Sequence, residues 1–195
     1  MSIDIETTGL NPETDQILEF GAVIDDTLRP DVPVEELPTF RKVIRSDRLS
    51  GTPMAIAINA SLINFIASVE KPEENELFCL PKDLGFEFFV WLRGHGFKIK
   101  NNSNAAFVPA GKNYAGFDSR FLNKIPHWNT YLTPCHRTLD PAILYFDPLK
   151  DEKPPSLYEC LERAGFDATV KHTAVDDARD VVRLLRHKFA EVSGG

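Results

Sequence analysis

The chain has 195 residues, of which 43% are hydrophobic and 26% are charged, and this composition is that of an ordinary globular protein. A chain of this length can bury a sufficient core without metals or disulfides, so the sequence predicts a single domain over residues 1–195. The formal net charge of −7 argues at first against a nucleic-acid partner, because binding to phosphate depends mainly on Lys and Arg.

Apolar runs and cysteines exclude several classes of protein. The longest apolar runs, such as residues 88–92, are far shorter than the roughly 20 residues that cross a bilayer, so no membrane partner is expected. The acid-rich residues 1–20 lack the basic start and apolar stretch of a signal peptide. The three cysteines are widely spaced and indicate neither a disulfide framework nor a zinc site. We therefore predict a cytoplasmic location.

The charge is unevenly distributed along the chain. Residues 1–92 hold 7 basic and 17 acidic side chains, whereas residues 93–137 hold 7 basic side chains and a single acid, Asp118. A lone carboxylate in a basic stretch is either a helix cap or surface pair, or a functional group that works beside bound phosphates. The charge pattern alone leaves both interpretations open.

The first half of the chain reads as three strands followed by helices. Residues 1–5, 17–25 and 39–44 have the short apolar runs of strands, and Gly-Leu-Asn-Pro at 9–12 is a turn signal. Thr52 followed by Pro53 is typical of a helix start. Further helices are predicted over residues 60–67 and 83–93, on either side of an acidic, solvated loop at 70–77.

The second half mixes two strands with three helices. The elements predicted are a strand at 105–110, a helix at 114–122, a strand that ends at 137–139, a helix from the capping box at 156–159 to Gly165, and a helix at 174–190. Strands first and helices later predict an α/β fold, a mixed β-sheet flanked by α-helices.

Two carboxylates share one face of the first strand. Asp4 and Glu6 are two residues apart, so their side chains point the same way, while Ile3 and Ile5 point into the core. Two like charges beside an apolar strand are costly unless a cation compensates them. Acids at a strand end are also common without any ligand, so this pair needs further support.

The last predicted helix carries a third carboxylate inward. Asp177 lies on the apolar face that includes Val181, Leu184 and Leu185, whereas Asp176 and Asp180 share a face with Arg179 and Arg183. His172 falls just before the helix. A single His there is usually a surface residue, but beside an inward carboxylate it is a candidate general base.

A fourth acid, Asp118, lies next to the apolar stripe formed by Phe117, Phe121 and Leu122. The three segments Asp-Ile-Glu-Thr-Thr-Gly-Leu at 4–10, Gly-Phe-Asp-x-x-Phe-Leu at 116–122 and His-x-Ala-x-x-Asp at 172–177 together resemble the ordered motifs of the DEDD superfamily of 3′→5′ exonucleases. His172 makes the chain similar to the His branch, which includes polymerase proofreading exonucleases, RNase T and oligoribonuclease. The chain departs from many members at Asn113-Tyr114, where they carry His-Asn.

The resemblance implies a ribonuclease H-like fold and two divalent cations, Mg²⁺ or Mn²⁺, held by Asp4, Glu6, Asp118 and Asp177. It also implies that Asp4 bridges the two ions, and that His172 takes the proton of the attacking water. One ion would activate that water and the other would stabilise the departing 3′ oxygen. The partner implied is the 3′ end of single-stranded nucleic acid, DNA or RNA, with a polymerase as a further candidate partner.

Four residues are candidates for contact with the terminal nucleotide: Thr7, Thr8, Leu10 and Phe117. Ordinary turn packing is the alternative for Leu10, and core packing is the alternative for Phe117. The incoming strand is expected along the basic residues Lys98, Lys100, Lys112, Arg41, Lys42, Arg45 and Arg48. Two other functions stay open, namely a phosphodiesterase for dinucleotides or very short oligonucleotides and a non-catalytic module that binds nucleic acid or a polymerase.

Overall fold

The structure, a computed structural model, describes residues 1–97, 99–100, 104–169 and 173–193. The strands in this part of the chain are β1 (Ser2–Thr7), β2 (Ile17–Val23), β3 (Thr39–Ile44), β4 (Phe78–Cys79), β5 (Ile99–Lys100), β6 (Asn104–Phe107) and β7 (Leu132–Pro134). The helices are α1 (Pro53–Ile58), α2 (Ala60–Ser68), α3 (Pro81–Gly94), α4 (Asp118–Leu122), α5 (Trp128–Tyr131), α6 (Pro141–Leu144), α7 (Leu157–Ala164) and α8 (Ala174–Ser193).

The main sheet has four strands in the order β1-β2-β3-β4. Strands β1, β2 and β3 are antiparallel neighbours, and β4 is parallel to β3. A second sheet has the order β5-β6-β7, with β6 parallel to β7. Ala110, three residues after β6, forms isolated parallel bridges with Ser2 of β1 and with Leu139. The backbone N–H of Ile3 donates to the carbonyl of Ala110 at 2.9 Å.

Each face of the main sheet packs against helices. One face carries Ile3, Ile5 and Phe20, which are buried against Phe88 of α3 and Trp128 of α5. The phenyl ring of Phe20 lies edge-on to the phenyl ring of Phe88 and to the indole ring of Trp128, with ring centroids 4.9 and 5.8 Å away. This aromatic cluster fixes the face of β1 that points away from its carboxylates.

Helix α8 covers the opposite face of the sheet. Val23 packs with Ala178 and Val182, and Leu184 packs on the far side of the helix against Cys160 and other residues of the α6–α7 region. The helix therefore lies between the sheet and α7. The predicted mixed α/β sheet flanked by helices is confirmed.

The helix predicted at 114–122 is wrong in its first turn, since α4 begins only at Asp118. Residues 112–117 form turns instead, and Phe117, with a φ of −125° and a ψ of −75°, lies outside the helical region directly before α4. The strand predicted at 105–110 ends at Phe107, two residues before Pro109, which lacks the N–H that a ladder needs. The strand predicted to end at 137–139 is reduced to the single bridge at Leu139.

Other predicted boundaries hold. Ser156 accepts a hydrogen bond from the N–H of Glu159 and the Glu159 carboxylate accepts one from the N–H of Ser156, so the capping box is present. Gly165 ends α7 with a φ of 74°. Within the described residues, no helix is long and apolar enough to cross a bilayer.

Candidate active site

Strand alternation brings Asp4 and Glu6 to the α8 side of the sheet. In the antiparallel register, Asp4 lies opposite Gly21 and Glu6 lies opposite Glu19. Directly opposite residues share a face of an antiparallel pair. Three carboxylates and one glycine therefore form a small patch beneath the start of α8.

Helix α8 adds a further carboxylate to this patch. Thr173 caps the helix, because its hydroxyl accepts from the N–H of Asp176 at 3.2 Å and donates to the Asp176 carboxylate at 2.8 Å. Asp177 follows one residue later. It lies one turn before Val181 and two turns before Leu185, which pack on Ala110. The same face of the helix thus buries apolar side chains and brings Asp177 to the sheet.

Asp4, Glu6 and Asp177 each offer a carboxylate oxygen, and these three atoms lie within 4.8 Å of one another. Oxygen ligands in this number and spacing suit Mg²⁺ or Mn²⁺. The predicted convergence of β1 and α8 is present in the structure.

Asp118 is the first residue of α4 and is only 2% exposed. Its Oδ1 atom is buried and has no hydrogen-bond partner among the described residues. The charge of Asp118 is, after burial, the largest contribution that raises the pKa of Asp4. Asp118 therefore belongs to the same electrostatic cluster, and its orphaned oxygen is where a cation would find an additional ligand.

Burial and mutual repulsion shift the acids of the cluster strongly. Burial, and after it the charges of Asp177 and Glu19, raise the pKa of Glu6 to about 7. Burial and neighbouring acids raise the pKa of Asp177 to about 7, and burial alone raises that of Asp118 to about 7. Without a cation the protein favours protonated carboxyls at this site. Raised pKa values of this kind are frequent at functional sites. A bound cation lowers them again because it stabilises the ionised carboxylates.

The candidate nucleotide contacts differ in their surroundings. The Thr7 hydroxyl donates to the carbonyl of Gly9 at 2.7 Å, and the Thr8 hydroxyl accepts from the N–H of Gln16 at 2.9 Å. Both hydroxyls therefore shape the turn after β1. Leu10 is 78% exposed, so its side chain is free of turn packing. Phe117 is half-buried and packs against the main core, with its ring tilted at 55° to that of Phe121.

Several of the basic residues expected along the strand path are already ion-paired. Arg41 contacts Glu19 at 2.5 Å, Lys42 contacts Glu87 at 2.6 Å, and Arg45 lies 3.6 Å from Glu73. Lys112 instead lines an open cavity together with Lys153 and Tyr158. His172 and the side chains of Lys98 and Lys100 lie outside the described residues.

Sequence reasoning missed two buried polar side chains beside the site, Glu19 and Asn59. Glu19 is fully buried. Asn59 is 5% exposed and its Nδ2 donates to the carbonyl of Thr7 at 3.1 Å, whereas its Oδ1 has no partner in the part of the chain that the structure describes. A single acid within the apolar run of β2 was the available signal for Glu19. Nothing in the sequence around Asn59 distinguishes it from a surface residue.

Comparison with known proteins relates this arrangement to nucleases. The sequence model of the exonuclease family RNase_T matches residues 1–185. Escherichia coli exonuclease I, solved in complex with a dA16 oligonucleotide, superposes with a TM-score of 0.60 and 15% identity, over 98% of this chain and 40% of that one. This chain thus spans less than half of the length of that relative.

Two smaller proteins superpose over most of their own length. The nuclease domain of 3′hExo, a DEDDh family member bound to rAMP, gives a TM-score of 0.63 at 19% identity, over 97% of this chain and 90% of that one. Pop2p of Schizosaccharomyces pombe, in a form bound to Mg²⁺ and Mn²⁺, gives 0.59 at 15% identity, over 97% and 82%. These similarities confirm the predicted ribonuclease H-like fold. A search of curated protein sequences found no match.

Proposed function

The chain belongs to the RNase_T family of exonucleases, and from this premise we propose that it is a two-metal 3′→5′ exonuclease. It hydrolyses phosphodiester bonds of single-stranded DNA or RNA from the 3′ end and releases nucleoside 5′-monophosphates, with residues 1–195 acting as one domain. The observation that carries the proposal is that one carboxylate oxygen from each of Asp4, Glu6 and Asp177 lies within 4.8 Å of the other two.

The donor set fits divalent cations. Asp4, Glu6 and Asp177, whose carboxylate oxygens lie within 4.8 Å of one another, would hold them. The buried Asp118, one oxygen of which lacks a partner among the described residues, would supply the fourth carboxylate. When bound, such ions supply a water of lowered pKa and neutralise charge on the leaving oxygen. In the reaction, a water oxygen attacks phosphorus, the bond from phosphorus to the 3′ oxygen breaks, and that oxygen takes up a proton.

The remaining candidate residues bind the strand and move a proton. His172, placed five residues before Asp177 as in the family motif, takes the proton from the attacking water. The exposed Leu10 side chain offers an apolar contact for the terminal base. Phe117 lies beside Asp118 and is partly free of the core, so it can line the same nucleotide site.

The structural relatives support the class of substrate. One of them was solved with a single-stranded oligonucleotide, one with rAMP, and one with Mg²⁺ and Mn²⁺. We carry these ligands over only as classes. A single strand, a 5′-mononucleotide product and either metal are the expectations for this chain.

The test is degradation of 5′-labelled single-stranded DNA and RNA by protein stripped with EDTA and then loaded with Mn²⁺ or Mg²⁺. We expect a ladder that shortens from the 3′ end and requires metal. Asp177→Asn and His172→Ala should abolish it, whereas the matched control Asp176→Asn should retain it, because Asp176 lies towards Arg179 at 3.7 Å.

Four outcomes would contradict the proposal. Degradation from the 5′ end would reverse the polarity, and activity that survives Asp177→Asn would place the chemistry elsewhere. Cleavage confined to dinucleotides and very short oligonucleotides would identify the phosphodiesterase alternative. Metal-independent binding without any product would identify a non-catalytic module.

A further inference from the structure

Glu19 is a fully buried acid that the proposed chemistry leaves without a role. It lies on β2, directly opposite Glu6 on β1, and its side chain is 0% exposed. Both of its oxygens are engaged. Oε1 accepts from Nε of Arg41 at 2.5 Å, and Oε2 accepts from the backbone N–H of Ala174 at 2.9 Å.

These two contacts give each oxygen of a buried acid a hydrogen-bond donor. An isolated buried carboxylate is strongly unfavourable, but a guanidinium and a helix N-terminal N–H compensate it. Ala174 is the first residue of α8, so its N–H has no partner inside the helix, and the positive end of the helix dipole favours the anion. Glu19 is also not among the three acids whose carboxylate oxygens lie within 4.8 Å of one another.

Gly21, two residues along the same strand, allows the helix to approach this closely. A β-carbon at Gly21 would lie 2.6 Å from both the carbonyl oxygen of Ala174 and the N–H nitrogen of Val175. Gly21 is also the register partner of Asp4. The missing side chain at Gly21 thus leaves space on the sheet for the start of α8, and Glu19 binds the helix terminus beside this space.

The position of Asp177 depends on that contact. Asp177 lies three residues after Ala174, less than one helical turn away, or about 4.5 Å along the axis. A shift of the first turn of α8 therefore moves the Asp177 carboxylate by a similar distance relative to β1. The three-carboxylate spacing of 4.8 Å tolerates little such movement.

We propose that Glu19, held by Arg41, is a positioning residue that fastens the first turn of α8 to β2 and thereby keeps Asp177 within reach of Asp4 and Glu6. The proposal rests on the proposed function, because it explains how the proposed metal ligands are held in position. Glu19 contacts neither substrate nor metal. It acts through the backbone N–H of Ala174.

Two substitutions of Glu19 separate this role from a purely electrostatic one. Glu19→Ala removes the acceptor. Glu19→Gln removes the charge but keeps a carbonyl oxygen that can accept from Ala174. Thr173→Ala is the matched control. It removes the hydroxyl that accepts from the Asp176 N–H at the same helix end, and it leaves the contact between Glu19 and Ala174 in place.

The measurements are hydrogen exchange at the Ala174 amide, Mn²⁺ affinity by calorimetry, and kcat and KM on a single-stranded oligonucleotide. Glu19→Ala should accelerate exchange at Ala174, weaken Mn²⁺ binding by about 10–100-fold and lower kcat more than it raises KM. Glu19→Gln should recover most of the protection and affinity. Thr173→Ala should accelerate exchange at Asp176 and leave Mn²⁺ affinity unchanged.

Equal loss of Mn²⁺ affinity in Glu19→Ala and Glu19→Gln, with Ala174 still protected, would overturn the proposal and assign Glu19 a charge effect. Unchanged exchange at Ala174 in Glu19→Ala would overturn it too. Wild-type protein that binds Mn²⁺ but degrades no nucleic acid would instead contradict the proposed function. The exchange and affinity measurements would still report on Glu19 in that case.

Discussion

Asp118 shows most clearly how one residue joins stability to function. Its carboxylate is buried, one oxygen lacks a partner among the described residues, and its pKa is raised to about 7. An unsatisfied buried polar group costs about 1–3 kcal/mol, and more when it is charged. The metal-free protein therefore bears a local cost that a bound cation would remove.

Asp118→Asn should accordingly separate the two properties. In EDTA at pH 8 we expect an unchanged or higher Tm, because a disfavoured charge is removed, together with loss of the Tm increase that Mn²⁺ produces in the wild type. Differential scanning calorimetry with and without Mn²⁺ checks this. Glu74→Gln, at an exposed acid paired with Lys71, is the control. Full retention of the Mn²⁺ effect in Asp118→Asn would remove Asp118 from the metal site.

Tyr114 is a residue at which this chain departs from the family motif. Its side chain is 3% exposed, and its hydroxyl is buried without a partner among the described residues. Burial, and then the charge of Asp118, raise the pKa of this hydroxyl. Tyr114→Phe should therefore leave the free energy of unfolding unchanged or raise it by about 1 kcal/mol. Urea unfolding in EDTA measures this, and a loss of more than about 1 kcal/mol would show that the hydroxyl has a partner.

At the scale of elements, the strand period of two and the helical period of three to four residues predicted where three of the acids lie. Alternation placed Asp4 and Glu6 on one face of β1, and the apolar stripe of α8 placed Asp177 inward, as the structure has them. Contacts between distant segments were beyond the sequence. The link from Glu19 to Ala174 spans 155 residues, and the non-helical backbone of Phe117 directly before α4 leaves no periodic signal.

Gly21→Ala tests the approach of α8 to β2 directly. The added carbon would lie 2.6 Å from backbone atoms of Ala174 and Val175, which have no flexible end that can give way. We expect destabilisation by about 1–3 kcal/mol and weakened Mn²⁺ binding, measured by thermal unfolding and calorimetry. Gly94→Ala is the control, because nothing lies within 4 Å of a β-carbon there. Equal behaviour of the two variants would contradict a close contact at Gly21.

At the scale of the whole molecule, the net charge of −7 reflects acids with opposite surroundings. Acids outside the cluster, such as the partly buried Asp151, pair with basic groups, and the hydrogen bond from Arg163 lowers the pKa of Asp151 to about 2. The buried cluster around Asp4 has raised pKa values. The net charge argued against a nucleic-acid partner because it averages these two populations of acids.

The buried cluster should make the stability of the metal-free protein depend on pH. Glu6, Asp118 and Asp177 have pKa values of about 7 in the folded protein, against about 4 in the unfolded chain. Raised folded values give stability that is complete below pH about 4 and is lost as pH rises through about 7. In EDTA we therefore expect Tm to fall by several degrees between pH 5 and pH 8.

Calorimetry across this pH range provides the check. Asp177→Asn should flatten the decline, because one of the titrating acids is gone, and saturating Mg²⁺ should flatten it in the wild type. A metal-free Tm that rises steadily from pH 5 to pH 8 would contradict the buried, mutually repelling cluster.

The most direct test of the central claim is the number of Mn²⁺ ions that the EDTA-stripped protein binds, measured by isothermal titration calorimetry for the wild type and for Asp4→Asn. Asp4 is the acid whose pKa the three other proposed ligands all raise. We predict two ions per chain in the wild type and loss of both from the measurable range in Asp4→Asn. Wild-type protein that binds no Mn²⁺, or an Asp4→Asn variant that binds the same number with the same affinity, would contradict the account.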